Sequence, residues 1–314
     1  MNNLQATLNA LSTQLAGASE GRPLDELMHS TGVLKGFEAQ RLRSYCTSEC
    51  MEPGRDLDSY GEAIFSGDLT SVRADFAEIY QLSWGPTRVP IYDLIFLATL
   101  IVPDARSQIL AVASFLISEA KVPVDGVDLS GSQALHHCIS TKPAFDPELA
   151  QMLHDAGGDV NARNRYGGTT AHEIVLVYDL YDRAKMQRSA DALKWFLDHG
   201  GNVDIADGDG ATARRCIVHL RQKVAGAGRR AIRLPMWGVL DSEDRRRKRL
   251  ADSICGFCGR DDVKLMTCSR CKKMKYCAPP RKCQNADWAN HKRSCKALKE
   301  QPMTQVTYLG KPLP

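Results

Sequence analysis

The chain has 314 residues, 25% charged and 43% apolar, with a formal net charge of +4. That balance excludes a mostly disordered polymer, and so small a net charge argues against a nucleic-acid coat or a membrane surface. At about 100–200 residues per domain the length allows two or three units, and two is our reading.

Residues 1–57 are expected to be a helical or partly disordered segment, with Leu4, Leu8, Leu11 and Leu15 at helical spacing. They lack the basic start of a secretory signal and the arginines of an organellar transit peptide, so residence in the cytoplasm and/or nucleus is expected. The most apolar stretch, residues 91–102, carries Asp93 and falls short of the ~20 apolar residues of a membrane span. No membrane partner is expected.

Residues 58–224 repeat themselves. Gly131-Ser132-Gln133-Ala134-Leu135-His136, Gly167-Gly168-Thr169-Thr170-Ala171-His172 and Gly210-Ala211-Thr212-Ala213 share a glycine followed by a helix start. Leu153-His154-Asp155-Ala156-Gly157-Gly158-Asp159-Val160-Asn161 and Leu197-Asp198-His199-Gly200-Gly201-Asn202-Val203-Asp204 share a helix end running into glycine and a Val turn. Both halves resemble ankyrin repeats, whose period is ~33 residues, so the wider glycine spacings here imply insertions, the longer one within residues 175–187. Residues 113–125 resemble a further second half, and residues 62–76 a divergent first repeat. The resemblance implies a mainly α fold: four or five helix pairs stacked into a solenoid, whose surface would hold an unknown protein partner. His136 and His172 stand where an ankyrin histidine bonds locally to brace adjacent turns, so neither is expected to bind metal or catalyse.

Residues 225–253 read as a basic linker. The run Arg245-Arg246-Arg247-Lys248-Arg249 resembles a nuclear-import signal, although a solvated helix face after an acidic first turn has the same composition.

Seven of the eleven cysteines lie between Cys255 and Cys295, in paired spacings that indicate metal rather than disulfides. Cys46, Cys50, Cys138 and Cys216 are expected to be buried, reduced thiols. The pattern Cys255-x2-Cys258, Cys268-x2-Cys271, Tyr276-Cys277, Cys283-Gln284, Trp288, His291 and Cys295 supplies eight donors. Zinc takes four soft or borderline donors in a tetrahedron, so eight make two closed sites. Residues 254–296 resemble a MYND finger, and residues 297–314 read as a tail. That resemblance implies interleaved ligation of two structural zinc ions, one by Cys255, Cys258, Cys277 and Cys283, the other by Cys268, Cys271, His291 and Cys295.

The family usually has three residues between its fifth and sixth cysteines; here Cys277 and Cys283 enclose five. Pro279 and Pro280 cannot continue a helix, so the extra residues should loop out and a helix should begin near Lys282. On that helix Trp288, His291 and Cys295 share a face, with Gln284 one turn before Trp288. In MYND fingers the matching serine, glutamine and tryptophan receive extended proline-rich peptides, so the resemblance makes Ser269, Gln284 and Trp288 peptide contacts. The competing role for Trp288 is as the finger's own core.

Between Cys255 and Cys295 lie ten Lys or Arg and three Asp. Most of that excess offsets seven thiolates and two zinc ions, so nucleic acid is not the expected partner. The expectation is a non-enzymatic adaptor, with transcriptional regulation as one setting for it. The alternatives are a SET-class lysine methyltransferase, in which MYND fingers also occur, or a nucleic-acid-binding protein. The closing Pro312-Leu313-Pro314 is similar to the ligands such fingers take.

Overall fold

A computed structural model describes residues 21–76, 82–140, 144–176, 182–226, 234–278 and 282–297. The leucine heptad of residues 4–15, residues 177–181 of the insertion, the diproline at 279–280 and the tail from 298 lie outside these. The described chain is mainly helical, with two short antiparallel hairpins.

The first hairpin, β1 (Ser83–Trp84) with β2 (Val89–Pro90), was not anticipated from the sequence. The helices around and after it stack in pairs. They are α4 (Ser59–Ser66) with α5 (Leu69–Asp75), α6 (Ile91–Ile101) with α7 (Arg106–Ser118), and α8 (Ala134–Cys138) with α9 (Pro147–Asp155). Next come α10 (Thr170–Ile174) with α11 (Arg183–Asp198), and α12 (Ala213–Gly226) with α13 (Pro235–Arg249). The first helices of successive pairs touch: α4 meets α6, α6 meets α8, and α8 meets α10. One apolar core therefore runs from Ile64 through Leu94, Leu135 and Phe196 to Met236 and Leu240. Each such side chain contributes about 1.5–3 kcal/mol on burial, which no single short pair could assemble alone.

Local chemistry starts and stops these helices. Asp58, Asp68, Asp146 and Asp182 accept from backbone N–H groups of their own first turns. Such a cap supplies roughly 1 kcal/mol. At α8 and α10 a histidine does this work: His136 Nδ1 accepts from Gln133 N at 3.1 Å and His172 Nδ1 from Thr169 N at 3.0 Å. Each ring's Nε2 faces a carbonyl of the following turn, Ala162 at 2.9 Å and Ala211 at 3.2 Å. The two histidines thus tie one helix pair to the next.

The turns between pairs repeat one geometry. Asp128, Asn164 and Asp207 each accept, through Oδ1, from the backbone N–H four residues ahead. Gly131, Gly167 and Gly210 sit at φ of 76°, 73° and 83°, left-handed positions that suit glycine. Adjacent turns join edge to edge: Leu129 N donates to Thr87 O, Arg165 N to Ser130 O and Gly208 N to Tyr166 O, each at 2.8 Å.

Helices α1 (Leu24–His29) and α2 (Gly36–Ser48) lie across this edge, and the short α3 (Pro53–Asp56) leads into the stack. Leu27, Leu34, Ala39 and Leu42 pack with Leu129 and Tyr166 of the turns. Arg165 donates to the carbonyls of Leu27 at 2.6 Å and Leu129 at 3.0 Å, and the Arg43 guanidinium lies 4.2 Å above the Tyr166 ring.

Residues 235–249, within the expected linker, form α13, which buries Met236 and Leu240 and packs along α11. Among the four scattered cysteines only Cys138 is buried; Cys46 and Cys216 are half-buried and Cys50 is exposed, which corrects the expectation of four buried thiols. Cys50 follows the end of α2 and is exposed to solvent. No single helix among the described residues is long and apolar enough to cross a membrane.

Candidate metal centres and peptide face

The finger is built from two knuckles, one hairpin and one helix. In the first knuckle Gly259 N donates to Cys255 O at 2.8 Å; in the second Lys272 N donates to Cys268 O at 3.0 Å. Gly259 and Lys272 both take left-handed φ, 74° and 57°. Each knuckle folds its Cys-x2-Cys pair back so that two sulfurs face the same point. Strands β3 (Leu265–Thr267) and β4 (Lys275–Cys277) pair antiparallel, with Leu265 opposite Cys277. Gly256 N donates to Lys275 O at 2.8 Å and fastens the first knuckle to β4.

Helix α14 (Lys282–Ala297) closes the unit, beginning where the sequence placed it. Tyr276 is fully buried and donates to Asp287 Oδ2 at 2.7 Å, locking β4 to α14. Its ring meets the His291 ring edge-on at 5.8 Å between centroids.

Cys255, Cys258, Cys277 and Cys283 bring one donor atom each within 4.8 Å of one another, and so do Cys268, Cys271, His291 and Cys295. Cys258 Sγ stands 3.4 Å from Cys277 Sγ, and Cys271 Sγ 3.5 Å from His291 Nε2. A tetrahedron with bonds of ~2.0–2.3 Å has edges in that range, so the donors fit two structural zinc ions. The longer loop before Cys283 does not displace its thiol from the first set. Each set takes one knuckle plus two donors from later in the chain, so the sites interleave.

The finger has little apolar core besides the ligands: Phe257, Tyr276 and a few half-buried residues, with Ile205 of the array packed alongside. Zinc must therefore supply most of its folding free energy, on the order of 10 kcal/mol or more per structural site in small fingers.

Ser269 is exposed beside its ligand neighbour, Gln284 is half-buried, and Trp288 is 40% exposed. Trp288 lies 6.2 Å from the His291 ring, on the helix face that carries the second site. The indole is therefore partly available from outside rather than enclosed as core.

The array holds the finger through α13. Glu243 accepts from Arg246 and Arg247, each at 2.6–2.7 Å. Burial alone would raise the Glu243 pKa, but these two guanidiniums hold it below the usual range. Arg246 then donates to Gly259 O at 2.6 Å, and Arg247 to Gly201 O at 3.3 Å and Cys258 O at 3.2 Å. Between finger and array runs a groove of about 350 Å³, lined by His154, Asn161, His199, Phe257, Arg260 and Lys282. Sequence reading missed this junction, because its partners are scattered and only the charge of residues 245–249 is local.

Comparison with known proteins agrees with the geometry. Residues 255–295 match the family model described as MYND finger. The chain is similar to human "Histone-lysine N-methyltransferase SMYD3", 42% identical over 62 residues, 18% of this chain and 14% of that one. It is also similar to "SET domain-containing protein 14" of Caenorhabditis elegans, 42% identical over 48 residues, 15% of this chain and 11% of that one. In Schizosaccharomyces pombe, "SET domain and MYND-type zinc finger protein 6" is 46% identical over 44 residues, 14% of this chain and 9% of that one. The chain thus spans a seventh or less of the length of these relatives, in the finger region. Residues 255–295 are a MYND zinc finger whose eight donors form two closed sites.

Proposed function

We propose that the chain is a non-enzymatic adaptor in which the zinc finger recruits a proline-rich segment of one protein and an ankyrin-like array carries a second. The observation that bears most weight is the Trp288 indole, 40% exposed on the helix that also carries His291 and Cys295. An aromatic face held by a metal site suits proline rings, and a peptide already extended loses little entropy on docking. Ser269 and Gln284 supply polar groups for its backbone.

The ankyrin-like reading of the array rests on the repeated glycine turns, the histidine ties and the stacking of short helix pairs. The non-enzymatic reading rests on closure: four protein donors at each finger site leave no position for a reacting water. Lysine methyl transfer enters only through the names of relatives, of which this chain covers 14% or less.

Residence in the cytoplasm, the nucleus or both fits an adaptor. Of residues 245–249, Arg246 and Arg247 are engaged at the finger junction, leaving Arg245, Lys248 and Arg249 exposed for an import receptor.

The test is titration of zinc-loaded protein with proline-rich peptides, for wild type and Trp288→Ala, after both are shown to keep the finger's zinc. Binding by wild type alone supports the reading. Equal binding by both, or by neither, removes the finger's recruiting role.

A further inference from the structure

We propose that Asp93, Asp128 and His137 form a third divalent-metal site, in the helical array, of the kind that takes a first-row transition ion such as zinc through one imidazole and two carboxylates. It is independent of the finger and of the peptide reading. Asp93 lies in the first turn of α6, Asp128 opens the turn before α8, and His137 is on α8, so the site would bridge two helix pairs.

Two carboxylates and one imidazole converge here, at ion-pair distances that also suit a shared metal ion. His137 Nε2 is 3.6 Å from Asp128 Oδ2 and 3.9 Å from Asp93 Oδ2, and one donor atom from each of the three lies within 4.8 Å of the others. Hydrogen bonds from a ring N–H to a carboxylate close at about 2.7–3.2 Å. Donors around a tetrahedral ion with bonds of ~2.1 Å stand about 3.4 Å apart. Two donor spacings in the finger, 3.4 and 3.5 Å, are close to those of this cluster.

Asp93 adds an independent sign. It is 7% exposed, and its Oδ1 is buried with no hydrogen-bond partner. An orphaned carboxylate oxygen costs several kcal/mol when desolvated, so something of opposite charge is wanted there. Two carboxylates against one imidazole leave net negative charge even if the ring is protonated; a divalent ion with a neutral ring leaves none.

The supporting shell is in place. Asp128 Oδ1 accepts from Ser130 Oγ at 2.7 Å and Ser132 N at 2.8 Å, which leaves Oδ2 turned to His137. Such fixing of a carboxylate is how metal ligands are oriented. The His137 side chain is 36% exposed, so an ion can enter from solvent and keep water in the remaining position. An imidazole in the set favours zinc, copper, iron or nickel over magnesium and calcium.

The full chain is dialysed against free zinc, and bound metal is counted in wild type, Asp93→Asn and His137→Asn, with circular dichroism confirming that each is folded. Three zinc ions in wild type and two in either folded variant support the site. Cobalt loading gives a second readout: the third ion should add d–d absorption with no thiolate-to-metal charge-transfer band, since no sulfur ligates it. Two ions in wild type, or a third that survives both substitutions, would overturn the proposal; a purely structural ion pair gives that result.

Discussion

Arg247 donates to the carbonyl of Cys258, at 3.2 Å, from a helix that belongs to the array. The residue that gives its sulfur to the first zinc set therefore gives its carbonyl oxygen to the array. Replacing Arg247 by Ala removes the donor and leaves Glu243, whose side chain is 11% exposed, with Arg246 alone. The expected cost is about 1–3 kcal/mol. Faster zinc release to a chelator than in wild type, with array helicity unchanged, is the measurement that checks it.

Chelating zinc should unfold residues 255–297 while the array keeps its helices, because the finger has almost no core beyond its ligands. Cys283→Ser should lose the first ion and keep the second, since its donor set excludes residues 268, 271, 291 and 295. Metal content and cobalt spectra of the variant decide this. Loss of both ions at once would mean that the two sites fold as one.

The acid behaviour of the array can be read from His136. Burial lowers its pKa from 6.5 to about 4, and Nδ1, which accepts from Gln133 N, belongs to the neutral ring. The unfolded chain therefore takes up the proton first. The stability this contributes is complete above pH 6.5, falls as pH drops from 6.5 towards 4, and levels off below that. The loss is on the order of 3 kcal/mol. Denaturant unfolding of wild type and His136→Asn at matched pH should show a difference that shrinks across that window.

Two glycines with left-handed φ offer a matched pair. A Cβ at Gly167 would stand 2.7 Å from Gly208 N, whereas one at Gly157 meets nothing within 4 Å. Gly157→Ala should cost about 1–2 kcal/mol from backbone strain alone. Gly167→Ala should cost about 1–3 kcal/mol more, because the neighbouring turn must move. Equal losses in thermal unfolding would show that the turn-to-turn spacing tolerates a methyl group.

What could be read from the sequence was what is written locally. The eight finger donors lie within 41 residues at spacings set by turn geometry, and the helix after the diproline began at Lys282 as its chemistry requires. The glycine turns were visible for the same reason. Helix α13 was hidden by its composition: Met236 and Leu240 are its buried anchors, one turn apart, in a segment dominated by charge. The Asp93, Asp128 and His137 cluster has no linear pattern, since stacking of helix pairs alone brings 93 to 137. The contact of Arg165 with Leu27 spans 138 residues and follows only from the folded edge.

That edge bears on how fast the array can be engaged. Residues 22–48 cover the joined turns with Leu27, Leu34 and Leu42, and Arg165 holds them by a carbonyl. A protein that needs the edge these helices cover, around Leu129 and Tyr166, binds only while they have lifted away. Its apparent affinity is reduced by the open fraction, and its observed association rate stops rising with concentration once opening becomes the slow step. Deleting the two helices would turn a saturating approach into a linear one.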